Sequence, residues 1–122
     1  RVVPLVPSKK HMPRRGVKRK KMKNEADVKK AVKKVLSSFP ADEIWFFMPP
    51  ANGYGRSGIP DLLGCYKGNL FGVETKFGKN DPTNNQLREI QGIIQSKGRC
   101  WIVRESNIHD WEAEFRGWAA LC

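Results

Sequence analysis

Apolar residues along this chain follow two different periods, and the switches between them mark out seven elements. Between positions 24 and 38, Val28, Val32, Val35 and Leu36 recur at the spacing of one helical face, with Asn24 where an N-cap belongs. Three apolar, strand-like runs follow at 43–48, 61–66 and 70–77, with Pro, Gly and Asn between them. A helical stretch at 84–97 stops before Gly98, a strand-like run occupies 99–104, and a last helix at 109–120 can take Ser106 or Asn107 as its cap. Trp111, Phe115 and Trp118, four and three apart, predict a buried face on that helix. The expected order is αβββαβα, with the 70–77 strand interior to its sheet because apolar strands flank it in sequence.

Polar residues on the 61–66 and 70–77 strands carry the candidate chemistry. Asp61 opens the first, directly after Pro60, and Glu74-Thr75-Lys76 ends the second. A two-residue Lys67-Gly68 loop sets Asp61 across from Glu74. A Gly68-Asn69 loop sets it across from Lys76. Either register gathers all three groups on one face, because side chains alternate along a strand. A three-residue loop would put Asp61 opposite Thr75, on the wrong face. Two carboxylates held close repel each other and favour a divalent cation between them, and Mg²⁺ or Mn²⁺ prefers such hard oxygen donors. A lysine beside them adds a charge for a phosphate, so the pattern points to metal-dependent phosphodiester cleavage. The plainer alternative is an ordinary polar hairpin face, but an acid and a base in an interior strand are costly unless they bind something.

Glu25 heads the apolar stripe of the first helix and is expected to point toward the same region, touching a metal directly or through water. A first-turn glutamate also suits the helix dipole without any such role. The segment from Pro49 to Pro60 is rich in glycine and leads straight into Asp61, so Arg56 and Ser57 are candidate DNA contacts, with Lys79 beyond the second strand. The alternative for these is a solvated surface loop.

Taken in order, Gly58-Ile-Pro-Asp61-Leu-Leu, Phe71-Gly-Val-Glu74-Thr-Lys76, Gln86 on the following helix and Gly98 before an apolar strand resemble the PD-(D/E)xK nuclease superfamily. The chain is more closely similar to the virus-type replication-repair nuclease domain, VRR-NUC, in its small stand-alone phage form. The resemblance spans about Met22 to Arg104. It implies a single restriction-endonuclease-like α/β domain with a central mixed sheet flanked by helices. It also implies catalytic roles for Glu25, Asp61, Glu74, Lys76 and Gln86. Metal ligation would fall to Asp61, Glu74 and the Thr75 backbone carbonyl, with Lys76 orienting the attacking water. For Gln86 a second explanation stays open, since Thr83-Asn-Asn-Gln86 has the form of a helix capping box.

Composition changes the picture mainly through charge. The net charge is +11, but residues 1–21 carry nine basic groups and no acid, leaving fourteen basic against twelve acidic groups in the rest, about +2. The expected organisation is therefore a basic tail over 1–21 and a nuclease-like domain over 22–122. Leu5-Val6-Pro7 and His11-Met12 look like an expression leader, whereas Arg14 to Lys23 could grip phosphates. Cys65, Cys100 and Cys122 have neither metal-site spacing nor an even count, which argues against zinc and disulfides and for a reducing, intracellular setting; the resemblance to phage members implies the cytoplasm of a bacterial or phage-infected cell. No apolar run reaches membrane-spanning length, and nothing calls for an organic cofactor.

The expectation from sequence is a Mg²⁺- or Mn²⁺-dependent, structure-selective endonuclease on branched DNA, specifically a homodimeric Holliday-junction resolvase. The alternatives are a flap, nicking or single-strand nuclease of the same fold, or a DNA-binding module without chemistry.

Overall fold

The first helix starts where its cap is. In the computed structural model, which describes residues 21–50 and 55–122, the Asp27 amide donates to the Asn24 side-chain oxygen at 2.9 Å, and α1 runs Glu25–Ser37. Its stripe, Val28, Val32 and Leu36, is fully buried. The expected basic tail, residues 1–21, lies outside the described residues apart from Lys21.

Three strands form an antiparallel meander: β1 Ile44–Phe47, β2 Leu62–Tyr66 and β3 Asn69–Thr75. After α2, Asn84–Gln95, strand β4 Arg99–Val103 returns parallel to β3, and α3 Ile108–Leu121 closes the described chain. The helical crossover is what allows the parallel pairing. The sheet order is β1-β2-β3-β4, so β3 is interior and the sheet is mixed, as expected.

The β2–β3 loop has the shorter form considered from sequence. Tyr66 pairs with Asn69, and Lys67 and Gly68 take φ of 47° and 86°, the two positive values of a type I′ hairpin turn. Leu62 pairs with Val73, so the same register carried one residue further places Asp61 across from Glu74.

One sheet face, with Leu62, Phe71, Val73, Trp101 and Val103, packs on α1 and α3 and joins Trp111 and Phe115 in the main core. Phe115 stacks edge-on against both Phe71 and Trp101. The spacing of Trp111, Phe115 and Trp118 therefore marked core packing. The other face carries Cys100 and Ile102 beneath Ile90, Ile93 and Ile94 of α2. Asn107 caps α3 in position only. Its side chain instead accepts from the Arg104 amide at 2.7 Å and donates to the Ile102 carbonyl, fastening the end of β4. No helix among the described residues is long and apolar enough to cross a membrane.

Candidate active site

Glu74 and Lys76 pair at the end of β3, and Asp61, just before β2, stands close enough to Glu74 to raise its carboxyl. Asp61 is fixed by Thr75: the Thr75 amide donates to Asp61 Oδ2 at 2.9 Å and the Thr75 hydroxyl to the same oxygen at 2.6 Å. Its other oxygen lies 3.8 Å from Lys29 Nζ on α1. Both Thr75 bonds fall on Oδ2, so Oδ1 faces only the longer ion pair with Lys29 and keeps room to accept a cation.

Glu74 is almost fully buried, at 1% exposure. Lys76 Nζ sits 3.3 Å from its Oε2, while Oε1 is buried without a hydrogen-bond partner among the described residues. Burial first, and the Asp61 carboxylate second, push the Glu74 carboxyl up from the usual 4.5 to about 7, with Glu25 adding in the same direction and Lys76 opposing. One lysine therefore does not compensate for the burial of a carboxylate near two others. Glu74 also helps to hold the Cys100 thiol up at about 12, after burial itself, which leaves that cysteine an inert part of the face.

An orphaned buried oxygen, a carboxyl lifted toward neutrality and an oriented second carboxylate suit a hard divalent cation, which would answer all three features at once. Among the described residues no three His, Cys, Asp or Glu side chains form a metal cluster. A cation here would thus take two side-chain carboxylates, with backbone oxygen or water completing the set. Glu25 contributes through its field on Glu74. A groove of about 380 Å³ between α1 and α3, lined in part by Met22, Val35 and Ile108, includes none of these carboxylates.

Among solved structures, the chain is similar to one described as a VRR_NUC domain, with 26% identity and a TM-score of 0.59, covering 74% of this chain and 94% of that one. The chain has the VRR_NUC fold. That is a nuclease-domain family, and the expected resemblance and fold class both hold. No protein-family model and no curated protein matches the sequence.

Within this VRR_NUC fold, Gln86 is engaged in the capping box: its Oε1 accepts from the Thr83 amide at 2.9 Å and its own amide donates to Thr83 Oγ1 at 3.2 Å. The loop before Asp61 is stapled to α2. Arg56 Nε donates to Glu89 Oε2 at 2.8 Å, and Ser57 Oγ accepts from Asn85 Nδ2 at 3.0 Å. Gly58, at φ 86°, lies so close to the Asn85 backbone that a Cβ there would sit 2.5 Å from it. Arg56 and Ser57 therefore border the site while serving as struts, and Arg56 remains largely exposed. Lys79 is exposed in a loop that Arg104 and Glu105 clamp from the end of β4, through bonds to Gly78, Asn80 and Asp81.

Sequence reasoning missed two residues. Lys29 approaches Asp61 from an exposed-looking stretch of α1 lysines, and the only signal was its place four residues after Glu25. Glu89 is a buried carboxylate, 8% exposed, on α2. Its neighbour Ile90 lies in the apolar cluster beneath α2, but nothing in the local pattern pairs it with Arg56.

Proposed function

We propose that the protein is a metal-dependent endonuclease that hydrolyses phosphodiester bonds in branched DNA, acting as a homodimer on four-way junctions. One observation carries the chemistry: the Asp61 carboxylate lies close enough to push up the Glu74 carboxyl, and Lys76 Nζ is 3.3 Å from that glutamate, whose second oxygen is buried without a partner among the described residues. The VRR_NUC similarity supports DNA as the substrate class. The junction and dimer reading follows from symmetry, because two symmetric sites suit two symmetric strands.

Mg²⁺ or Mn²⁺ would be held by Asp61, Glu74 and the Thr75 carbonyl, with Glu25 reaching it through water. Bound there, it would lower the pKa of an attacking water and offset charge on the phosphate. The chain's own groups do the rest. Thr75 locks the Asp61 carboxylate in one orientation, so little ordering is left for the moment of binding. Lys76, anchored on Glu74, presents a cation where negative charge develops on the phosphate. Lys29 adds a second cation on the Asp61 side. Arg56, Ser57 and Lys79 are DNA contacts along the rim, and Gln86 serves the site through the helix start that it closes.

The test is cleavage of labelled four-way junction, flap, linear duplex and single-stranded DNA with Mg²⁺ or Mn²⁺, comparing wild type with Glu74→Ala and Lys76→Ala. Paired cuts in the junction, lost in both variants, are the expected result. Cleavage of flaps alone would keep the site and replace the substrate. Binding of branched DNA without any cleavage would overturn the catalytic reading.

A further inference from the structure

The sheet face that carries Asp61 and Glu74 is only half covered. Over β3 and β4, α2 seals it with Ile90, Ile93 and Ile94 against Cys100 and Ile102. Over β1 and β2 no described helix covers the same face. Cross-strand pairing lines up Trp45, Cys65 and Leu70 in one row and Phe47 with Leu63 in the next, and Asp61 stands two residues before Leu63, at the entry to β2. In the open part Trp45 is 63% exposed, Phe47 43% and Leu70 43%. The Trp45 and Phe47 rings lie 5.4 Å apart with their planes tilted by 37°. Neither residue belongs to either apolar core, so folding does not explain why two large aromatic rings face water side by side.

We propose that this open half-sheet is a stacking platform for unpaired nucleobases, with Trp45 and Phe47 as its two flat surfaces, so that the DNA the site acts on presents an unpaired stretch beside the scissile phosphate. The inference rests on the nuclease reading above but departs from its four-way-junction form, whose arms are fully paired, in favour of branched DNA with an unpaired segment such as a flap. Three features favour bases as the occupant. The protruding groups are planar rings, and aromatic side chains on an exposed sheet face are a recurrent way of holding single strands, since every base offers a π-face. The rows themselves hold no charged side chain short of Asp61, so they offer nothing to phosphates, while the exposed Arg56 stands in the loop that enters Asp61. The platform is also continuous with the face that carries Glu74, and its Phe47–Leu63 row lies two residues from Asp61, so a base seated on Phe47 directs the strand toward the acid pair. Bases inside a duplex have their faces covered by their neighbours, which is why the occupant is unpaired. A second copy of the chain joining through β1 would use the backbone edge of that strand, whereas the exposed rings lie on its face.

The experiment measures binding of a labelled oligothymidylate of about 15 nucleotides, a length within single-strand site sizes, and of a blunt duplex, both in EDTA. Wild type is compared with Trp45→Ala/Phe47→Ala and Trp45→Leu/Phe47→Leu, with sedimentation mass recorded for each. The expected result is that both double variants weaken oligothymidylate binding about 10- to 100-fold, with duplex affinity and mass unchanged. Undiminished binding by the leucine variant would show a merely apolar surface and overturn the proposal. So would a wild type that does not bind oligothymidylate, or a fall in mass from dimer to monomer in the variants. Cleavage is scored separately. Ring-dependent binding by a protein that cuts nothing would leave the platform standing and remove the nuclease reading. Cleavage of branched DNA with ring-independent binding would do the reverse.

Discussion

Lys76 holds one oxygen of Glu74 at 3.3 Å and leaves the other buried and unpartnered, so the two residues form an ion pair that is electrostatically incomplete. A side chain kept in this state inside a small domain is unfavourable for folding, which makes it experimentally accessible.

The first consequence is a pH-dependent stability. Glu74 is raised from 4.5 to about 7, so the folded state binds its proton more tightly than the unfolded state does. Its contribution is fully present below pH 4.5 and is lost as pH rises through about 7. The shift corresponds to roughly 3 kcal/mol. Glu74→Gln is therefore expected to stabilise the metal-free protein at pH 8 by about 1–3 kcal/mol and to flatten its stability between pH 5 and pH 8, measured by urea unfolding. A variant less stable than wild type at pH 8 would contradict this account.

The same carboxyl couples a proton to a cation. If Glu74 ligates, the half-saturating Mg²⁺ or Mn²⁺ concentration for cleavage should rise about tenfold for each pH unit below 7 and be level above it, since ligation requires the deprotonated group. A metal requirement independent of pH across that interval would separate Glu74 from the metal.

Lys76→Met removes both the cation and the hydrogen bond that oppose the upward shift of Glu74. Cleavage should fall by about 10²- to 10³-fold, and the Glu74 carboxyl, followed by carbon-detected NMR, should titrate above 7. Titration at or below 7 would show that the lysine has little hold on it.

Two glycines with similar backbone angles should respond differently. Gly58 and Gly55 have φ of 86° and 82°, but only Gly58 has backbone atoms 2.5 Å from an added Cβ. Gly55→Ala should cost about 1 kcal/mol from strain alone. Gly58→Ala should cost about 2–3 kcal/mol and reduce cleavage, because the loop it wedges against α2 delivers Asp61. Equal melting temperatures for the two variants would contradict the wedge.

Thr83→Ala and Gln86→Ala each break the capping box and should lower stability by about 1 kcal/mol while leaving the cleavage rate nearly unchanged. A large rate loss confined to Gln86→Ala would give that residue a role at the phosphate beyond the cap it makes with Thr83.

Much of the fold was legible because it rests on local rules. Helical spacing of Val28, Val32 and Leu36 behind an Asn24 cap, and of Trp111 and Phe115 further on, fixed two helices and their buried faces. The turn residues Lys67 and Gly68 admitted the register that sets Asp61 opposite Glu74. What sequence could not supply depends on elements brought together from afar. Whether Asn107 capped a helix or fastened a strand was decided by the passing of β4 beside it. The pairing of Arg56 with Glu89, 33 residues apart, and the approach of Lys29 to Asp61 arise only when helices dock on the sheet. The lifted Glu74 and the bare Trp45–Phe47 surface are of the same kind, because burial and exposure on one face depend on where α2 comes to rest, and alternation along a strand says which residues share a face but not which part of it is covered.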